Sequence, residues 1–314
     1  LIVMAEADFG LTTIGTPSMF YAVYTVVLNL FGLAAIAGVL VLAARRYLQR
    51  PAALDNRAED WISLLLLLVI LVTGHVIQAL RLAVEQPSWA HLSFASNWLV
   101  PLFAGRDTAT LQAAHEWTWW THMVLVMGWV AWMPYSKLWH IFSGMTNLFF
   151  RARAPRARIE KDAAVAAMMA GEDIDEDTVF GVSRLEDLRW TNLLDADACI
   201  RCGRCQENCP AHLTDKALNP KTLVQDVKRH MEEVWRSRGA GEEGDGRRAF
   251  HGDVIKPEVI WACTTCRACE ENCPMGIEHL DTIVGMRQYL TQMEATFPEA
   301  VSYTHLRAHE TKAN

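Results

Sequence analysis

The sequence predicts an all-α protein: a transmembrane helical bundle followed by a soluble α-helical domain that gathers every cysteine of the chain. Three observations carry this. Long uncharged stretches are confined to the first half, while the second half is charged in the ordinary way of a soluble domain. Those stretches reach the roughly 20 apolar residues that a helix needs to cross a bilayer. Apolar residues in the second half recur at helical rather than strand spacing, around two copies of one cysteine pattern.

The chain has 314 residues, 51% of them apolar, ample for one buried core and a second unit. A net charge of −7, without a basic stripe interleaved with aromatics, argues against nucleic acid as a partner. Cysteines clustered at ligand spacing beside a membrane region fit metal binding in a reducing compartment better than a disulfide framework.

Residues 18–44 run 27 without a charge and residues 61–80 run 20, which gives two spans. Residues 117–135 add 19, and after Lys137 the uncharged run resumes over 138–150, so the third span is expected as one long helix bent at Pro134. Residues 91–103 are aromatic and apolar but short, as suits an interfacial segment. Arg45, Arg46, Arg50 and Arg57 lie between the first two spans, and Arg151, Arg153, Arg156, Arg158 and Lys161 follow the third. The positive-inside rule puts both groups, and the domain that follows, in the cytoplasm.

Ionisable residues within spans are costly and are functional candidates by default. On one continuous helix, His122 and His140 would stand five turns apart, about 27 Å along the axis, nearly a hydrocarbon thickness. Haems held there would sit near opposite membrane faces. His115 falls close to the same face and is expected at the interface, as is His91; His75, beside Gly74, is a third ligand candidate. The competing reading is that these histidines face the bundle and hydrogen-bond to neighbouring helices.

The cysteines read Cys199-x2-Cys202-x2-Cys205-x3-Cys209-Pro210 and Cys263-x2-Cys266-x2-Cys269-x3-Cys273-Pro274, with none left over. This run holds two [4Fe-4S] clusters, the fourth cysteine of each run serving the other cluster. Cys199, Cys202, Cys205 and Cys273 are expected around one, and Cys263, Cys266, Cys269 and Cys209 around the other. Zinc is the alternative, but structural zinc uses separated pairs in a tetrahedral site. Between the runs, Leu223, Val224, Val227, Met231, Val234 and Trp235 read as one helical face; Pro257 starts a short helix into Cys263; Ile277, Leu280, Ile283 and Val284 again have helical spacing. A solvated linker with some helix over 163–169 precedes this domain, and Asp195-Ala-Asp197 is read as a structural cap before Cys199.

The segment His115-Glu-Trp-Thr-Trp-Trp-Thr-His122, with Pro134-Tyr-Ser-Lys-Leu-Trp-His140 and Asn147-Leu-Phe-Phe-Arg151, resembles the last helix of the respiratory nitrate reductase gamma-subunit family. The resemblance implies two b-type haems, with His122 and His140 as ligands and partner histidines on an earlier helix. It also implies five spans, of which three are retained here, so residues 1–15 are read as a remnant of a preceding loop or helix. The cysteine domain resembles the iron–sulfur modules of succinate dehydrogenase and heterodisulfide reductase, the latter especially in Trp261-Ala-Cys-Thr-Thr-Cys-Arg-Ala-Cys and Ile277-Glu-His-Leu. Fusions of this kind continue into cysteine-rich domains that carry the disulfide chemistry, and no such domain is read here. Residues 296–314 lack periodicity and resemble translated adapter sequence, so they are read as a non-native tail.

The expected organisation is a haem b membrane domain over 16–150, a linker over 151–190 and a 2×[4Fe-4S] ferredoxin domain over 191–295. The expected function is respiratory electron transfer in the inner, cytoplasmic membrane between a quinone-type carrier, b haems and two cytoplasmic clusters, feeding other redox subunits such as a heterodisulfide reductase-like catalytic domain. The alternative is a haem-free, membrane-anchored iron–sulfur redox sensor or adaptor.

Overall fold

The computed structural model describes residues 19–151, 163–173, 175, 178–239 and 248–299. Residues 1–15, the basic residues Arg153 to Lys161, and the tail from 300 onward with His305 and His309 lie outside the described residues. The chain is helical, with no named strand among the described residues, and it divides into two compact units. One comprises Leu1–Ala52 and Asn56–Lys137, the other Ala53–Asp55 and Leu138–Asn314.

In the first unit, α1 (Met19–Ala44) runs on into a π turn over Arg45–Gln49. Helix α2 (Ala58–Glu85) packs against both α1 and α3 (Thr108–Trp132). Short turns at Ala90–Leu92, Phe94–Asn97 and Val100–Phe103 link α2 to α3. Polarity is inverted relative to a soluble bundle. Thr25, Asn29, Ser93 and Ser96 are buried, whereas Phe31 is 68% exposed and Leu42 55%. An apolar exterior with polar side chains kept inside, among Tyr21, Val39, Ala79 and Leu80, is what a lipid solvent selects. Helices α1 and α2 are long and apolar enough to cross a membrane. Helix α3, with Glu116, Thr118 and Thr121, is less apolar, but its 25 residues reach about 38 Å.

The expected bent helix through residues 117–150 is corrected. Helix α3 stops at Trp132; a 3-10 turn covers Met133–Tyr135; Ser136 is extended at φ −121°, ψ 170°; a second 3-10 turn covers Lys137–Trp139. Only at His140 does α4 (His140–Phe150) begin. Pro134 lacks the N–H that would continue α3, which accounts for the change of helix type. The break is held by Lys137, whose Nζ donates to Asp60 Oδ1 at 2.9 Å; Asp60, buried at the start of α2, also accepts from Arg46. The five-turn spacing of His122 and His140 therefore does not apply, because they belong to different helices. Helix α4 packs within the second unit.

The second unit continues through α5 (Ala163–Ala170), α6 (Trp190–Ala198), α7 (Pro220–Gly239) and α8 (Leu280–Gln292). Leu223, Val227 and Val234 of α7 meet Phe250, Ile260, Ile283, Met286 and Leu290 in one core. Trp235, expected on that face, is instead 69% exposed. Its neighbour Val234, 2% exposed, takes the inward position instead.

Helix α4 is joined to α6 by buried polar groups. Asn147 Nδ2 donates to Asp195 Oδ1 at 2.7 Å and to the Met275 carbonyl at 3.1 Å, and Asp195 Oδ2 accepts from the Glu278 N–H at 3.2 Å. Burial pushes the Asp195 carboxyl up to about 7, against the two hydrogen bonds that favour its charged form. An acid that holds its proton longer folded than unfolded loses native-state stability as pH rises between the two values. Stability of this unit is therefore expected to fall from about pH 4 to about pH 7, by on the order of a few kcal/mol. Thermal unfolding of Asp195→Asn across that range should show the slope flattened; an unchanged slope would assign the dependence elsewhere.

Candidate metal centres

Each cysteine run folds by the same local path. In the first, Arg201 and Gly203 take left-handed φ values of 55° and 80°; at the matching places of the second, Thr265 and Arg267 take 55° and 59°. A one-turn helix then carries the third cysteine, Arg204–Glu207 in one run and Ala268–Glu271 in the other. Left-handed residues between ligands turn successive N–H groups toward a common centre, a concavity that suits anionic groups. One such bond appears as Thr265 N–H donating to Cys263 Sγ at 3.4 Å. Gly203 is needed for a second reason: a Cβ there would come within 2.6 Å of the Ala53 carbonyl oxygen. Arg267 tolerates its conformation while its guanidinium pairs with Glu270 and Asp281.

These paths create two adjoining cavities. One is lined by Cys199, Cys202, Cys205 and Cys273, together with Cys269. The other is lined by Cys209, Cys263, Cys266 and Cys269. The fourth cysteine of each run thus lines the cavity of the other run. Among the described residues no three potential ligands converge on a single-ion site. Four cysteines drawn from both runs around each cavity suit a polynuclear cluster.

Burial, then the neighbouring Cys199 and Cys202, push the Cys205 thiol up to about 12; burial and then Glu270 do the same for Cys269. Thiols this reluctant to ionise need strong positive charge at the centre to become ligands, and iron supplies it. The surrounding cations add to it. Lys221 lines the first cavity and donates to the Ala53 carbonyl at 3.0 Å and to Asp55 Oδ1 at 2.9 Å. Arg267 lines the second cavity. Arg287 donates to the carbonyls of Ile260 at 2.7 Å and Cys263 at 2.6 Å, with its guanidinium 5.2 Å from the Trp261 ring centre. Arg287→Leu leaves those carbonyls unpaired and is expected to cost roughly 2–3 kcal/mol. Faster loss of iron to a chelator than in the wild type would check it.

In the first unit, His122 Nδ1 lies 2.8 Å from Thr73 Oγ1. The Thr73 hydroxyl is 2.7 Å from the Val69 carbonyl, which can only accept, so its hydrogen goes there and the His122 Nδ1–H donates to Oγ1. That fixes the tautomer with the lone pair on Nε2, the arrangement in which a histidine binds metal with its other nitrogen anchored. The residues around His122 therefore fit a haem ligand. His75 is placed differently. Its Nδ1 is 3.0 Å from Ser96 Oγ, within a chain that runs on to Gln78 and Ser93. Its Nε2 lies against α1, where a Cβ on Gly32 would approach within 2.7 Å. Its Nδ1 is thus held by Ser96 and its Nε2 faces α1 beside Gly32. His140 opens α4, half-buried, in the second unit.

Sequence reasoning passed over Lys221, Arg287 and the Ala53–Asp55 segment as parts of this site. Their roles depend on partners distant in sequence, and only the charge of Lys221 beside the cysteine domain could have drawn notice.

A helical, lipid-adapted unit and a unit with two crossed cysteine cavities define a membrane-anchored iron–sulfur oxidoreductase module for electron transfer. More particularly, residues 9–156 match the family model of the nitrate reductase gamma subunit, and residues 195–277 match that of the 4Fe-4S dicluster domain. The chain is a nitrate reductase gamma-like membrane domain fused to a heterodisulfide reductase-related dicluster domain that binds iron–sulfur clusters. It is similar to the EtfAB:quinone oxidoreductase of Syntrophomonas wolfei, 37% identical over 309 residues, 89% of this chain and 42% of that protein. A probable membrane-anchored ferredoxin of Chromohalobacter salexigens is 36% identical over 65% of this chain and 31% of its own length. A component of the ferredoxin:CoB-CoM heterodisulfide reductase of Methanosarcina mazei is 26% identical over 34% of this chain and 53% of its own length. The chain thus spans about half or less of each of these relatives. No solved structure matches it significantly.

Proposed function

We propose that this chain is the electron relay of a quinone-linked membrane oxidoreductase, exchanging electrons between a quinone-type carrier and two [4Fe-4S] clusters by way of b haems. The observation that carries the reading is the pair of adjoining cavities, each lined by three cysteines of one run and the fourth of the other. Cys199, Cys202, Cys205 and Cys273 hold one cluster, and Cys263, Cys266, Cys269 and Cys209 the other. The bound groups supply one-electron chemistry. The chain supplies ligands, neighbouring positive charge and exclusion of water.

His122 is the firmer haem ligand, on the strength of its Thr73 anchor; His140 is assigned by the family resemblance, and His75 is a structural residue. The name of the Syntrophomonas relative pairs EtfAB with quinone, and we adopt both as partners, quinone for the membrane unit and EtfAB for the cysteine unit. A heterodisulfide reductase-like domain is the corresponding partner suggested by the Methanosarcina relative. The basic residues between α1 and α2 favour an inner-membrane location with the cluster domain in the cytoplasm.

A reduced-minus-oxidised optical spectrum of the membrane form, together with iron and sulfide content, tests this reading. Bands of b-type haem together with iron and sulfide for two cubanes are expected. Clusters without haem bands would instead leave a haem-free sensor or adaptor, and zinc without iron would refute the cluster reading.

A further inference from the structure

His279 is 6% exposed, and neither of its ring nitrogens has a partner among the described residues. It lines both cysteine cavities, a property it shares only with Cys269. Buried polar atoms without partners are rare and costly, and two on one ring call for an explanation. The walls contain what is needed: His279 shares each cavity with cysteine sulfur, a hydrogen-bond acceptor.

We propose that His279 is a positioning residue for electron transfer, donating its ring N–H to a sulfur of one of the two clusters and so setting their potentials apart. This rests on the proposed function, in which the cavities hold clusters. A neutral imidazole carries one N–H and one lone pair, so it can donate toward one cavity only. Burial favours the neutral ring. A hydrogen bond to cluster or thiolate sulfur stabilises the more negative, reduced state and raises the potential of that cluster. The other cluster faces the bare nitrogen and gains nothing. The asymmetry gives the relay a downhill step between two otherwise similar sites.

Potentiometric titration of the whole chain in detergent, followed by EPR, reads both clusters. In His279→Leu the midpoint potential of one cluster should fall while the other holds, with iron content unchanged. His279→Gln, which keeps an N–H, should recover most of the shift. Both potentials unmoved in the leucine variant would overturn the proposal. If that variant loses its iron, the wild type carrying 15N-labelled histidine decides: pulsed EPR should show one histidine nitrogen coupled to a reduced cluster, and its absence would overturn the assignment. A wild type without two clusters would overturn the parent function itself, and its iron content tells the two failures apart.

Discussion

Cys273→Ser is expected to remove the cluster in the cavity of the first cysteine run and to spare the other. The reason is geometric. Cys273 belongs by sequence to the second run, yet it lines the cavity of Cys199, Cys202 and Cys205. Cys209 is the mirror case, lining the cavity of Cys263, Cys266 and Cys269. A serine hydroxyl is a harder, weaker ligand for iron than a thiolate, so the affected cluster is lost or converted to a three-iron form. The measurement is EPR with iron analysis on both variants. Cys273→Ser should abolish the same signal as Cys199→Ser, and Cys209→Ser the same as Cys263→Ser. Signals paired by sequence run rather than by cavity would contradict the crossed arrangement.

His122→Ala should eliminate one b haem outright, while Thr73→Val should weaken it. Removing an outer-shell partner that orients a metal ligand costs about 10–100-fold in affinity. Thr73 is such a partner, since it accepts the Nδ1–H and so reserves Nε2 for metal. His75→Ala should leave haem content intact and lower bundle stability, because the Ser96 bond and the Gly32 contact are packing interactions. Haem titration of purified membranes distinguishes the three variants. Haem content unchanged in His122→Ala would remove this histidine from the site.

What the sequence discloses follows the range of the forces involved. The cysteine spacing encodes its own local turn, so the eight ligands and the helix begun by Pro257 can be read directly. Membrane helices α1 and α2 are legible because lipid demands length and apolarity along one continuous stretch. Pro134 signals a bend, but the break depends on Lys137 finding Asp60, 77 residues away, and no local pattern contains that. His75 resembles a ligand in sequence because Gly74 beside it suggests close approach. The approach that the structure shows at His75 comes from Gly32 on another helix, which a sequence pattern around residue 75 does not contain. Trp235 is misplaced by periodicity for a simpler reason: a helical face admits either of two adjacent residues at its edge, and packing against Phe250 and Ile283 leaves room for Val234.

The central claim is that electrons pass between the membrane unit and the cysteine unit, with the chain itself supplying ligands at both ends. Membranes bearing the chain can be poised with both clusters reduced, a soluble quinone added, and the cluster EPR signals followed in time. The wild type should lose its reduced-cluster signals rapidly, and His122→Ala should retain them although added ferricyanide still oxidises its clusters. Equal rates of quinone-driven oxidation in the two proteins would contradict a relay that runs through the membrane unit.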